Sequence, residues 1–514
     1  MNSAKMGNEK MKCTLSITLL LLPLLFCCSP TDMERQFEME RAINRTNRLK
    51  QQFYLTDKNL DAIEYDRLID AFSAITRMIP APPDDSAAVR KAPEPVLTSW
   101  QMAGLAYYNL GLLKMDKGDY EGAYDDLAEL IRSYGFKPHQ VQTAMFLQAM
   151  ARYKQKRFPE AVAIYNKVAQ YYIGSAPSVA NPNLDALDSP LTAARILRDS
   201  GESARLDSQL QSAVNYYWNI LTMYQGTPLA DAAVGKLASA FLMGELADSA
   251  IVILSAVKDP ESGMTPPLVL FNIATIQKDN LNNFAGAERS YREFINNYPD
   301  HYLRPSAELG IGASLLARGK YRAARDELSR LEKLKGVPYR IQAEASYLKG
   351  LSFEKENDWQ RALGEFDYLQ TNYPISDVGM ETPIHIAEYY QSRGESKLAA
   401  EAFTEAEKDY RKMIDMYAAR KDVVAAATSY LAGCAVLRGN WTEAVDILRT
   451  LATRYPDTPE GFSAIPKAAE ISITKLRRPS EAAALLRVFA NNYPRTADID
   501  KIIAYADSLE RSAR

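Results

Sequence analysis

The sequence predicts an all-α fold, a solenoid of about ten helix–turn–helix repeats that ends in a C-terminal capping helix. Two observations support this prediction. The chain has 514 residues, more than one ordinary hydrophobic core holds, so we expect several domains or a stack of repeats. An apolar pattern also recurs along most of the chain, mostly at steps of 37 or 38 residues.

The pattern is clearest just before Pro299. Ala287 is followed by Tyr291 four residues later and by Phe294 seven residues later. Tyr298 completes this apolar face, and Pro299 ends the segment. These intervals place the apolar side chains on one side of a helix, and a proline at this point stops the helix. The segment therefore predicts one amphipathic helix of a repeat.

The alanine of this pattern recurs ten times, and the residues four and seven places after it are apolar in every copy. The index alanines are Ala123, Ala161, Ala213, Ala250, Ala287, Ala324, Ala362, Ala399, Ala444 and Ala482. Two steps are longer than the others. The 52-residue step before Ala213 predicts a proline- and asparagine-rich loop at residues 174–190. The 45-residue step after Ala399 predicts a longer helix that continues through residues 409–416.

A second set of positions predicts another helix in each repeat. Twelve residues before most index alanines stands a small residue, such as Gly111, Gly201 or Gly350, which lets two helices approach closely. An aromatic residue commonly stands three places before the alanine, directly after a turn such as residues 117–119. Each repeat is therefore expected to be helix, turn, helix.

Together these positions resemble the tetratricopeptide repeat over residues 100–494. The shared features are a small residue in the first helix, an aromatic residue before the second, alanine and large apolar residues within it, and proline at its end. The resemblance implies a right-handed superhelix that binds other proteins. The Tyr-Pro endings at 298–299, 373–374, 455–456 and 493–494 are similar to those of two periplasmic families, the outer-membrane β-barrel assembly lipoprotein and the Tol-Pal coordinator.

Residues 1–27 predict a lipoprotein signal peptide. Lysines at 5, 10 and 12 precede an apolar run at residues 15–26 that is too short to span a bilayer. The run leads into Cys27-Cys28, which resembles the lipobox of bacterial lipoproteins. Cys28 is the expected lipidation site; Cys27, or an ordinary secretory signal, is the alternative. With Ser29 next, the resemblance implies a palmitate-bearing protein in the bacterial outer membrane that faces the periplasm; the alternatives are the cell surface and a secreted periplasmic form.

The remaining segments follow in order. Residues 28–79 predict a tether and an N-terminal helical pair, because apolar residues recur on one face of each helix. Residues 80–98 are rich in proline and predict a linker between this pair and the main body. Residues 99–494 are expected to form the solenoid, and residues 495–514 predict an amphipathic helix that caps it.

The sequence contains no recognisable catalytic constellation. Its three histidines, His139, His301 and His385, stand in different repeats, and no phosphate-binding loop, nucleophile elbow or Cys-x-x-Cys motif occurs. We therefore expect no enzyme activity, no metal and no cofactor. A formal net charge of −3 gives no reason to expect nucleic acid. Cys434 lies in an apolar segment and is expected to be a small buried residue.

The candidate binding groove lies on the first helices, because the family resemblance places these on the concave surface. The side chains expected there form an aromatic and methionine patch that suits peptide recognition. Packing against neighbouring helices is the alternative role for the same residues. The patch consists of Tyr108, Leu112 and Met115 in the first repeat and Phe146, Met150 and Tyr153 in the second. The third repeat is expected to add charge through Arg198, Glu202 and Arg205.

The predicted function is a non-catalytic, lipid-anchored scaffold for protein–protein interactions in the bacterial envelope. Outer-membrane protein assembly is the specific role that the repeat style and the anchor favour. The expected partners are envelope proteins or peptides, with the membrane reached through the lipid and no small-molecule substrate. The alternative is a surface lipoprotein that captures glycans or other ligands, and an envelope enzyme is a minor alternative.

Overall fold

The computed structural model describes residues 30–54, 62–83, 88–89, 91–135, 137–331, 334–493 and 499–512. Throughout this part of the chain the regular secondary structure is helical and no strand occurs, which confirms the all-α prediction. The predicted signal peptide at residues 1–27 and the predicted lipidation site Cys28 lie outside the described residues. Among the described helices, none has the length and apolar character needed to cross a membrane.

The helices alternate along the chain as the repeat pattern predicts. Those before the repeats are α1 Pro30–Tyr54 and α2 Ala62–Met78. The ten repeats consist, two helices each, of α3 Glu94–Lys117, α4 Tyr120–Ser133, α5 Pro138–Lys154, α6 Phe158–Gly174, α7 Leu184–Asp199, α8 Ser203–Met223, α9 Pro228–Met243, α10 Ala247–Ser255, α11 Pro267–Asp279, α12 Phe284–Asn297, α13 Arg304–Ala317, α14 Tyr321–Leu331, α15 Tyr339–Lys355, α16 Trp359–Asn372, α17 Asp377–Ser392, α18 Ser396–Met416, α19 Lys421–Leu437, α20 Trp441–Arg454, α21 Pro459–Thr474 and α22 Pro479–Asn492. A last helix, α23 Ile499–Ser512, follows repeat 10. The odd-numbered helix of each repeat is its first helix, and the even-numbered helix is its second.

The helices form two compact units, one ending at Leu246 and the other beginning at Ala247. Within each unit, a first helix touches the first helix of the next repeat. Consecutive second helices make no comparable contact in the described part of the chain. The first helices therefore lie on the inner side of each unit and the second helices on its outer side.

The predicted index positions form the core of the repeats. All ten index alanines are buried, and the most exposed of them, Ala399, is 5% exposed. The residues four and seven places after each alanine are also buried, from Leu127 and Leu130 in repeat 1 to Leu486 and Phe489 in repeat 10. Since each large apolar side chain contributes about 1.5–3 kcal/mol when fully buried, this recurring set stabilises every repeat.

The structure corrects the register of repeat 3. Ala213 lies ten residues inside α8, whereas the other index alanines lie near the start of their helices. In every repeat a residue with positive φ lies in the turn, five residues before the index position: Gly118, Lys156, Gly201, Glu245, Asn282, Gly319, Asn357, Gly394, Gly439 and Arg477. Gly201, with φ 76°, is therefore a turn residue and not a helix-packing residue. The index position of repeat 3 is Leu206.

Repeats 3 and 8 each have a long second helix. Helices α8 and α18 have 21 residues each, whereas α12, α16, α20 and α22 have 14. The end of α18 at Met416 confirms the longer helix predicted there. The loop predicted at residues 174–190 is shorter than expected, because α7 begins at Leu184. Asn183 caps α7 by accepting a hydrogen bond from the Ala186 amide at 3.2 Å.

Each of these two repeats also has a proline inside its first helix, with a tyrosine hydroxyl beside it. In repeat 8, Pro383 lacks an amide hydrogen and disturbs α17. The Tyr410 hydroxyl donates to the Met380 carbonyl at 2.8 Å and accepts from the Ile384 amide at 3.3 Å. Tyr217, the counterpart of Tyr410 in repeat 3, donates to the carbonyl of residue 187 at 2.8 Å. The hydroxyls satisfy backbone groups beside the proline turn.

The N-terminal helices pack against repeat 1. Leu68 and Phe72 of α2 share a buried cluster with Trp100 and Leu110 of α3. Such a cluster holds α2 against α3, because apolar side chains in contact exclude water from the facing surfaces of both helices. Helix α2 is therefore part of the first unit, and the described part of the proline-rich segment does not separate it from the repeats.

The linker predicted at residues 80–98 is shorter in the structure. Helix α3 begins at Glu94, inside that segment, because Pro95 stands in the first turn, where a helix tolerates proline. The indole Nε1 of Trp100 donates to the Pro80 carbonyl at 3.2 Å. This contact ties the start of the segment to α3.

Helix α23 caps the last repeat. Ala506 and Leu509 are buried in the cluster that includes Phe489 of α22. Arg487 of α22 donates to Asp507 of α23 at 2.8 Å. The helix begins at Ile499 and so occupies most of the segment predicted as a cap, which confirms the prediction of a C-terminal capping helix.

Candidate functional site

The candidate site is the inner face of the repeats, where the first helices lie next to one another. Side chains that project from this face toward solvent are available to a partner, while those that project sideways pack between repeats. The structure can therefore separate the predicted patch residues into two groups according to their neighbours and burial.

Three of the predicted patch residues lie around one core cluster. Tyr108, Leu112 and Met150 are half-buried and pack against Leu127 and its neighbours. Burial, followed by the negative charge of Asp185, raises the pKa of Tyr108. The phenol therefore stays neutral and can donate a hydrogen bond at physiological pH.

Phe146 and Tyr153 are half-buried and lie against the next cluster along the chain. The ring of Phe146 meets that of Tyr165 edge to face, with 5.3 Å between the ring centroids. Tyr153 contacts Phe158, with 5.7 Å between centroids. Both side chains thus support helix packing and retain an accessible edge.

Met115 does not belong to the accessible surface. Its side chain is 9% exposed and packs with Ala123 and Ala151 in the core. Tyr108 and Met115 are seven residues, about two turns, apart and project in similar directions, so the difference in burial comes from the residues that cover Met115, among them Ala151 of α5. For the remaining five residues, a role in peptide binding stays a prediction.

The charged residues on the inner face of repeat 3 are not the ones that were predicted. Arg198 lies in the last turn of α7, Glu202 lies in the turn after that helix and Arg205 lies in α8, because the register of this repeat differs from the predicted one. The inner face instead carries Asp188, which bonds Lys236 of α9 and lies 2.8 Å from Arg195. Burial opposes ionisation of Asp188, but the hydrogen bonds from these two cations lower its pKa.

A second inner surface, not predicted from the sequence, lies in the unit that begins at Ala247. It combines Tyr347 of α15, Glu381 and His385 of α17 and Tyr430 of α19, all half-buried or exposed. His385 Nε2 lies 2.8 Å from the Glu354 carboxylate. Burial, and then the charge of Glu381, raises the pKa values of Tyr347 and Tyr430. This surface is aromatic and acidic, and it suits a cationic partner.

The described residues contain no group of three or more His, Cys, Asp or Glu side chains arranged to hold a metal ion. His385 is paired with a single carboxylate and meets the rings of Tyr347 and Phe366. Cys434 is buried, and burial raises the pKa of its thiol to about 12. It is therefore the inert core residue that its apolar surroundings predict.

Comparison with protein families identifies the repeat. Residues 104–177, 309–376 and 386–459 match one tetratricopeptide repeat model, and residues 268–301 match a second model of the same repeat. These segments cover parts of repeats 1–2, 5 and 6–9 of the structure. No curated protein matches the chain.

Solved structures offer a weaker likeness. A tetratricopeptide repeat protein from Parabacteroides merdae ATCC 43184 is 16% identical, covers 54% of this chain and 96% of its own, and has a TM-score of 0.30. Yeast Tom70 is 13% identical, with coverages of 92% and 96% and a TM-score of 0.34. The apo form of RapI is 12% identical, with coverages of 74% and 98% and a TM-score of 0.34.

The family matches and the packing of the helices identify the same repeat. The matched segments coincide with helix pairs whose index residues are buried, and the turn between the helices has a residue with positive φ at the same position in each pair. Repeats of this type typically serve as non-catalytic scaffolds for protein–protein interaction. The chain is thus an all-helical protein built from tetratricopeptide-like repeats.

Proposed function

We propose that this protein is a lipid-anchored scaffold in the bacterial envelope that binds envelope proteins or peptides on the inner face of its repeats. The observation that carries the proposal is the succession of ten helix pairs in the described part of the chain, whose core residues are buried while the inner faces of each unit keep half-buried aromatic side chains. Outer-membrane protein assembly is the specific role that we favour, because the Tyr-Pro repeat endings and the lipobox-like cysteines resemble proteins of that machinery.

Peptide binding suits the inner face for a physical reason. Tyr108, Phe146, Met150 and Tyr153 present adaptable or aromatic surface next to the charged group around Asp188. Aromatic and methionine side chains adjust to differently shaped apolar partners, and the adjacent charges fix the orientation of the bound segment. A row of such residues along neighbouring first helices provides an extended contact.

The lipid anchor is tested by the expected acceptor, Cys28. In bacteria fed an alkyne-tagged fatty acid, the wild-type chain should carry the tag and partition with membranes. Cys28→Ser should lose both properties, while Cys27→Ser should keep them, since only the cysteine at the mature N-terminus is acylated. Tagging that disappears with Cys27→Ser and survives Cys28→Ser would move the site by one residue, and an untagged wild-type chain would rule out the anchor.

The partner is tested by site-specific photo-crosslinking in intact cells. A photoreactive residue at Tyr108 or Phe146 should yield a defined protein adduct. The matched control is Tyr302, which is 74% exposed in a turn and away from the inner face; it should give no adduct of the same mass. If no protein adduct forms and a glycan instead changes the fluorescence of Trp100 or Trp218, the protein captures glycans and the scaffold proposal fails.

A further inference from the structure

An apolar groove lies on the outer side of repeats 8 and 9. It has a volume of about 590 Å³ and is bounded by α18, α19 and α20. Its apolar lining consists of Ile414 of α18, Val424 and Leu431 of α19, and Ile447 and Leu451 of α20. All of these residues belong to the unit that begins at Ala247.

The groove owes its existence to the length of α18. This helix has 21 residues, whereas α20 has 14, so the last two turns of α18 extend past the end of an ordinary second helix. Ile414 lies on this extension and lines the groove together with Ile447. Val424 and Leu451 are buried at the base, while Ile414 and Ile447 remain half-buried. The apolar walls are therefore open to solvent along one side.

Charges of opposite sign lie at the two ends of the groove. Glu443 and Asp446 are exposed near the start of α20, and Arg454 is its last residue. Eleven residues separate Glu443 from Arg454, or about 16 Å at 1.5 Å per residue. Arg449, the nearest cation to Asp446, also lies 2.7 Å from Glu481, so its charge is shared and the first end stays acidic.

The walls favour a helical occupant. The three bounding helices already satisfy their backbone groups internally, so they offer no row of donors and acceptors to an extended peptide. The backbone of an extended peptide in this apolar groove would lose its hydrogen bonds to water and would gain none from the protein. A helix satisfies its own backbone and can lay apolar residues at i, i+3, i+4 and i+7 into the groove.

We propose that this groove binds an amphipathic helix of a partner protein, oriented antiparallel to α20. The N-terminus of that helix, which carries positive dipole and favours acidic residues, would bring its carboxylates to Arg454. Its C-terminus, which favours lysine or arginine, would lie against Glu443 and Asp446. This site is on the opposite side of the repeats from the inner face, so it stands independently of the proposed function.

The test uses two stapled helical peptides of identical composition with leucines at i, i+3, i+4 and i+7. One has glutamates in its first turn and lysines in its last turn, and the other has these charges reversed. Fluorescence anisotropy with the full mature chain at low salt should show at least about tenfold tighter binding of the first peptide, a difference of about 1.4 kcal/mol. Equal affinities for the two peptides, or no binding of either, would overturn the proposal.

Two variants locate the site. Glu443→Lys with Asp446→Lys should abolish the preference, because both ends of the groove are then positive and each peptide meets one favourable and one unfavourable end. Thr450→Trp, at an exposed position in the lining, should fill the groove and abolish binding of both peptides. The control pair Glu401→Lys and Glu405→Lys changes the same charge on an exposed part of α18 outside the lining and should keep the original preference.

Circular dichroism establishes that each variant is folded before its affinity is interpreted. Because the charge-reversal positions are exposed, that variant retains the core and keeps the test decisive if Thr450→Trp misfolds. An unchanged preference in the charge-reversal variant, or a lost preference in the control pair, would contradict the proposed orientation and position.

Discussion

Tyr410 shows how much one hydroxyl can contribute at the scale of a residue. Its ring is fully buried, and its oxygen lies between a carbonyl and an amide of α17 where Pro383 disturbs the helix. A buried backbone group without a partner destabilises a fold by about 1–3 kcal/mol. The hydroxyl therefore makes the proline compatible with a helix that the repeat needs.

Tyr410→Phe should destabilise repeat 8 by about 1–3 kcal/mol, since the ring still fills the core while the Met380 carbonyl and the Ile384 amide lose their partner. The measurement is hydrogen–deuterium exchange of peptides from α17, which should accelerate in the variant. Tyr302→Phe, at a residue that is 74% exposed, is the control and should leave exchange unchanged. Equal exchange in Tyr410→Phe and the wild type would show that the hydroxyl is dispensable.

At the scale of elements, glycines set the distance between the two helices of a repeat. A Cβ added to Gly350 of α15 would lie 2.5 Å from Cε1 of Phe366 in α16, and one added to Gly312 of α13 would lie 2.5 Å from a methyl of Leu328 in α14. These distances are far below ordinary contact, so the helices could not stay as close with alanine at either place.

Gly350→Ala should destabilise the protein by about 1–3 kcal/mol through overpacking against Phe366. Gly364→Ala, in the second helix of the same repeat, is the matched control: nothing lies within 4 Å of the added Cβ. This control should stabilise α16 by about 0.5–1 kcal/mol, because alanine favours a helix over glycine. Chemical denaturation of both variants measures the difference, and similar shifts in the two would refute the role of close packing.

The same elements show what the sequence could and could not predict. The index positions were predictable because alanine and two apolar residues recur at helical spacing, as at Ala287. Repeat 3 was assigned wrongly because α8 carries apolar residues at two overlapping registers, and only the turn at Gly201 distinguishes them. The burial of Met115 and the groove beside Ile447 depend on contacts between neighbouring helices, so neither could be predicted from the sequence of one helix alone.

At the scale of the whole molecule, buried ionisable groups are spread along the array. Burial raises the pKa values of Tyr134 and Tyr291 to about 12, from an ordinary value of 10.0. It raises that of Cys434 to about 12, from 9.0. In the unfolded chain these groups lose their protons at lower pH than in the folded one. Above the ordinary values the unfolded state therefore binds fewer protons, and stability falls as pH rises.

Thermal stability should accordingly be constant from neutral pH to about pH 9 and fall between about pH 9 and 12, the window set by Cys434, Tyr134 and Tyr291. Circular dichroism melting curves across this range give the midpoint, and tyrosinate absorbance reports ionisation. Ionisation of the buried tyrosines should coincide with unfolding. Their complete titration near pH 10 in a chain that remains folded would contradict the prediction.

The proline and tyrosine of repeats 3 and 8 depend on the length of the second helix. Pro190 and Tyr217 of repeat 3 correspond to Pro383 and Tyr410 of repeat 8, and 193 residues separate each residue from its counterpart. Each tyrosine is the fifteenth residue of its 21-residue helix, so a second helix of 14 residues, such as α12, would end before it. A chain that shortened α8 or α18 to that length would therefore lose the hydroxyl that meets the backbone beside the proline.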